Sequence, residues 1–81
     1  MLEANGTFFM VFSYTYDGEH GWNDPVFPAS DFSLALEYLR KQKEENDAFY
    51  WNDERSLRVN LPGQYDYKEL YIEEMTMNKE I

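Results

Sequence analysis

From Thr7 to Tyr16 the chain alternates with period two: Phe8, Met10, Phe12, Tyr14 and Tyr16 share one face, with Thr7, Ser13 and Thr15 opposite. Aromatic and β-branched residues at that period predict a strand, with the Phe8–Met10–Phe12 face turned to the core. Phe9 and Val11 make its first half apolar on both faces, which places that half centrally in its sheet or covered on both sides. Asp17-Gly18 is a hairpin signal, because both residues tolerate positive φ. Trp22 to Phe27 then returns as the second strand, where Pro25 points to an edge or a bulge.

The period changes after Pro28. Ser30 or Asp31 serves as N-cap, and Phe32, Ala35, Leu36 and Leu39 follow at helical spacing on one face. Arg40, Lys41 and Lys43 fall in the last turns, where cations complement the helix dipole, so the helix runs to about Lys43 or Glu45. Its apolar stripe reads as ordinary core, since a lone helix beside a sheet must bury one face. Phe8, Met10, Phe12, Leu36 and Leu39 are therefore expected to be buried together.

The remainder reads as a second hairpin and a closing segment. Ala48 to Trp51 is short and aromatic, Asn52-Asp53-Glu54 reads as a turn, and Leu57, Val59 and Leu61 alternate with Ser56, Arg58 and Asn60. Pro62-Gly63 ends that hairpin. Tyr67 to Met77 carries two patterns: Asp66-x-x-Glu69 resembles a capping box with Tyr67, Leu70, Tyr71 and Met75 on a helical face, whereas Leu70 and Ile72 alternate with Tyr71 and Glu73. The need of the first strand for a pairing partner favours a strand. The expected fold is α+β, a small antiparallel sheet (a β-β-α core with additional strands) packed against one helix, in a single domain over residues 1–81.

Composition adds two constraints. Two Trp, seven Tyr and six Phe in 81 residues must supply most of a small core, because the chain has no cysteine for a disulfide or a thiolate metal site. Against these aromatics stands a net charge of −9. Residues 1 to 39 contain Glu3, Asp17, Glu19, Asp24, Asp31 and Glu37 and no Lys or Arg. One reading of this imbalance is a solvated face that keeps a small protein soluble; the other is a functional acidic surface.

Chemical motifs are sparse. His20, the single histidine, lies among Asp17, Glu19 and Asp24, but the spacing matches no calcium loop and no second histidine is present, so the acid-rich turn reads as solvated and no metal is assigned. No serine has a nucleophile-elbow context, and no phosphate loop or dinucleotide fingerprint occurs. No catalytic residue, cofactor or enzymatic activity is assigned. The short apolar run Phe8–Phe12 suits neither a signal peptide nor a membrane span, which leaves a cytoplasmic protein as the expectation and gives the Asn5-Gly6-Thr7 sequon no role.

Direct nucleic-acid binding is disfavoured, since seven basic residues against 16 acidic ones supply no phosphate-neutralising groove. The functional expectation is a small acidic protein-interaction module. Its most specific form is a phage or mobile-element inhibitor that mimics nucleic acid and docks on a basic protein surface. Asp17, Glu19, Asp24, Asp31 and Glu37, whose carboxylate potentials add without an intervening cation, together with the aromatics Tyr16 and Trp22, are the candidate partner-binding residues. The alternative is a structural or accessory domain that forms a homodimer or joins a larger assembly through exposed aromatics.

Overall fold

The computed structural model describes residues 6–63 and 66–77, so Glu3 and the asparagine of the sequon lie outside the described part. Five strands and one helix follow in the order β1 (Gly6–Tyr16), β2 (Gly21–Ala29), α1 (Phe32–Glu45), β3 (Tyr50–Asp53), β4 (Ser56–Asn60) and β5 (Tyr67–Met77). All strand pairings are antiparallel, and the sheet order is β2-β1-β5-β4-β3. The fold is thus α+β and mostly sheet. The chain opens β-β-α, but β1 lies inside the sheet between β2 and the central strand β5, with which it pairs along its whole length from Gly6↔Met77 to Tyr16↔Tyr67.

Of the two faces of β1, the helix covers the one carrying Val11 and Ser13. Val11, Ala35, Leu39 and Leu57 are fully buried and form the core with Ala29, Phe49, Val59, Leu70 and Ile72. Phe8, Met10 and Phe12 lie on the other parity of the strand, and each is only half-buried. The expectation that these three pack with Leu36 and Leu39 is therefore corrected. A one-residue change of phase exchanges every side chain between faces, and here both faces are apolar enough to satisfy the pattern. The helix decides the matter, because its fully buried Ala35 and Leu39 share one core cluster with Val11. Phe9, on the same face but farther along β1, meets Phe32 edge-on at 5.8 Å.

Local chemistry fixes the boundaries. Asp31 caps α1 by accepting from Leu34 N at 3.0 Å and from Ser33 Oγ at 3.0 Å. At the far end Lys43 Nζ donates to Phe49 O at 3.2 Å, which ties the helix to the segment leading into β3. Phe27 and Tyr38 stack with centroids 4.5 Å apart and anchor α1 over β2. The register shift opposite Val11 and Phe12 leaves Val26 as a bulge beside Pro25, on an edge strand that tolerates proline.

The closing segment is a strand because both of its parities are used. Leu70 and Ile72 are buried beneath the helix, while Tyr67, Glu69 and Tyr71 pair across β1 with Tyr16, Tyr14 and Phe12. Asp66 and Glu69 form no capping box: Asp66 O accepts from Leu61 N at 3.0 Å, and Glu69 bonds to Arg58. The expected turn at Asn52-Asp53-Glu54 moves by one residue, to Glu54-Arg55, since Asp53 ends β3 and its carboxylate accepts from Arg55 N and Ser56 Oγ, each at 2.9 Å.

Leu39→Ala should destabilise the fold by about 2–5 kcal/mol, the range for a truncated core leucine. Phe12→Ala should cost clearly less, since the ring is half-buried on the uncovered face. Urea melts of the two variants check this, and a larger loss for Phe12→Ala would reverse the assignment of faces.

Candidate functional site

The sheet face turned away from α1 has no covering element among the described residues. Register places on it Phe8, Met10, Phe12, Tyr14 and Tyr16 of β1, Tyr67, Glu69, Tyr71, Glu73 and Met75 of β5, and Ser56, Arg58 and Asn60 of β4. The rings cover one another. Phe12 stacks on Tyr71 at 5.5 Å, and Tyr67 lies 6.0 Å from Tyr14 and 5.6 Å from Tyr16. Cross-strand aromatic pairs of this kind are the sheet's counterpart of helical i,i+4 contacts.

Glycine makes room for this layer at one position. The Tyr14 phenol lies over Gly21 on the edge strand β2, where any Cβ would overlap the ring. Tyr71 reaches the same strand from two strands away, its hydroxyl donating to Asn23 Oδ1 at 3.0 Å.

An ion pair stands among these rings. Arg58 Nη2 donates to Glu69 Oε1 at 3.0 Å, and the guanidinium lies 4.3 Å from the centroid of Tyr67. The hydrogen bond to Glu69 raises the Arg58 pKa above its ordinary value. Only one carboxylate oxygen of Glu69 has a hydrogen-bond partner among the described residues, and Arg58 Nε is buried without one. The pair is thus held by a single hydrogen bond instead of the two-pronged fork that arginine and carboxylate can form. Next to it is a shallow depression of about 400 Å³, bounded by Tyr14, Tyr67, Tyr71, Glu69, Ser56, Asp53, Arg55 and Ile72. Asp53 is already engaged there, and its bonds from Arg55 N and Ser56 Oγ lower its pKa.

The five acidic candidates and Trp22 are exposed and Tyr16 is half-buried, and the seven do not converge. Asp17 and Glu19 lie in the β1–β2 turn, where Asp17 Oδ1 accepts from His20 N at 2.8 Å and Glu19 N at 3.1 Å. Those two bonds, His20 first, lower the Asp17 pKa. Gly18 adopts φ +94° in this turn, and its carbonyl accepts from Tyr16 Oη at 3.1 Å. Trp22, 47% exposed, and Asp24 pair with Thr15 and Ser13, on the helix side of the sheet. Asp31, the N-cap of α1, lies past the opposite end of β2, roughly 25 Å from the turn at strand rise, and Glu37 lies within α1. Of the seven, only Tyr16 joins the open face. Among the described residues no three His, Asp or Glu groups gather as metal ligands, and no helix is long and apolar enough to cross a membrane.

Charge counting missed Tyr14, Tyr67, Tyr71, Arg58 and Glu69. Their signal was present as tyrosines of one parity on two strands, since a buried phenol needs a partner and a row of them marks a face that stays wet.

Burial, followed by the charges of Glu73 and Glu69, raises the Tyr71 pKa above the ordinary tyrosine value. The folded state therefore favours the neutral phenol. Its contribution to stability is complete below pH ~10, the unfolded value, and is lost as pH rises through the folded one. Ultraviolet titration of the tyrosines should show a late-ionising component that Tyr71→Phe removes and Glu73→Gln shifts to lower pH; an unchanged curve in Tyr71→Phe would contradict the assignment.

No protein-family model, curated protein or solved structure matches this chain.

Proposed function

We propose that this chain is a small acidic protein-interaction module that docks on a basic protein surface through the open, tyrosine-rich face of its sheet. The observation that carries the proposal is the uncovered layer of Phe12, Tyr14, Tyr16, Tyr67 and Tyr71 with Glu69 and Glu73 set among the rings. Tyrosine combines a large apolar body with a polar tip and loses little conformational entropy on binding, which is why it recurs at interface centres. The net charge of −9 supplies long-range attraction to a cationic partner and repels nucleic acid.

A finer version makes the chain a mimic of nucleic acid, of the kind a phage or mobile element uses as an inhibitor, acting in the cytoplasm. Its support is the exposed carboxylates of Asp17, Glu19, Asp24, Asp31 and Glu37, none of which meets a Lys or Arg side chain within ion-pair distance among the described residues. A second reading, self-association, draws on the apolar end of the open face, where Phe8 pairs with Met75. Salt separates the two, because electrostatic docking weakens steeply with ionic strength and an aromatic interface does not.

The test is binding of immobilised basic peptides at low and high ionic strength. Wild type should be retained at low salt and released at high salt. Tyr67→Ala should weaken binding by about 2 kcal/mol or more, as expected of an interface anchor. Charge reversal of Asp17, Glu19 and Asp24 to Lys should lower only the long-range component and leave a measurable complex. Full loss in that triple variant with no effect of Tyr67→Ala would move the interface to the hairpin turn, and concentration-dependent dimerisation insensitive to salt would favour self-association.

A further inference from the structure

The depression beside Glu69 suggests what the partner presents. We propose that it receives an arginine side chain of the partner, the guanidinium stacking on the tyrosine rings and hydrogen-bonding to the carboxylate oxygen that Arg58 leaves free. This rests on the reading of the open face as a docking surface for basic proteins.

Four observations select arginine over other ligands. First, the fold already binds one guanidinium in this manner: Arg58 lies 4.3 Å from the Tyr67 centroid while bonded to Glu69 at 3.0 Å. Second, Glu69 keeps acceptor capacity, since one of its oxygens has no partner among the described residues and its side chain is 19% exposed. Third, the neighbouring carboxylate, Asp53, is already engaged by Arg55 N and Ser56 Oγ, so Glu69 is the better-placed acceptor. Fourth, Arg55, which also lines the depression, carries its guanidinium 5.4 Å from the ring of Phe32, a residue outside that lining.

The chemistry of the walls sharpens the choice. A planar guanidinium can lie flat against a phenol ring and still direct N–H groups in its own plane at a carboxylate, whereas an ammonium is a hydrated point charge that cannot do both. Tyr14, Tyr67 and Tyr71 offer three rings around one carboxylate. An anion or an acidic peptide would meet two carboxylates, Glu69 and Asp53, against the single lining cation Arg55, and the whole-chain charge of −9.

Two peptides of equal length and charge, one with arginine and one with lysine as its basic residues between Gly-Ser spacers, are titrated against the full chain at low salt. The arginine peptide should bind about five- to tenfold more tightly, the scale of one stacked cation. Tyr71→Leu and Glu69→Gln should each reduce that preference to near unity, whereas Glu73→Gln, which removes the same charge outside the depression, should retain it. Circular dichroism melts identify any variant that fails to fold, and Tyr71→Leu leaves the Arg58–Glu69 bridge in place should Glu69→Gln unfold. Equal, salt-sensitive affinity for both peptides overturns the arginine site while leaving the basic-docking reading intact. Absence of binding by either peptide overturns both.

Discussion

One helix cannot cover both sides of a five-stranded sheet, and the rest of this structure follows from that constraint. α1 takes the side on which Val11 joins Ala35 and Leu39 in one buried cluster. The other side must then be compatible with water while still packing well enough to hold β1 and β5 together. Large rings meet both demands: they shield the ladder and one another, and most of them end in a hydroxyl. Phe12 against Tyr71, and Tyr67 between Tyr14 and Tyr16, form the layer that a second helix provides in a three-layer fold.

Charge follows the same division. Arg58 is drawn onto the open face by Glu69 and Tyr67, where its half-exposed setting makes the bridge modest in stability but definite in geometry. Several other carboxylates sit at the ends of elements and act locally there: Asp17 shapes the first turn, Asp31 caps the helix and Asp53 shapes the second turn. These acids have structural employment, so a high net charge is not by itself evidence of a continuous binding surface. The carboxylates of Glu69 and Glu73 differ in standing beside aromatic rings on a face that no described element covers.

Much of this was legible in the residues. The helix, a cap at Ser30 or Asp31, the first hairpin around Gly18 and an edge or bulge at Pro25 follow from rules that act over a few residues, and each is found, with Asp31 as the cap. Choosing between the faces of β1 is a different problem, because Phe9 and Val11 compete with Phe8, Met10 and Phe12, and the deciding partner, Ala35, is distant in sequence. The pairing of β1 with β5 is equally non-local. Without it, Tyr14 and Glu69 cannot be seen to adjoin, and the candidate site stays scattered among an acidic hairpin and single tyrosines. Parity of the tyrosines is the one signal for the open face that the residues carry, and the large apolar Phe8, Met10 and Phe12 of the same parity point the other way.

The central claim is that the open face is where this chain meets its partner. Hydroxyl-radical footprinting with the arginine-bearing peptide bound tests it most directly, since Tyr14, Tyr16, Tyr67 and Tyr71 report on one face and Trp22 and Trp51 on the other. The account predicts protection of the four tyrosines with the two tryptophans unchanged. Protection of Trp22 and Trp51 with Tyr67 and Tyr71 still reactive would contradict it.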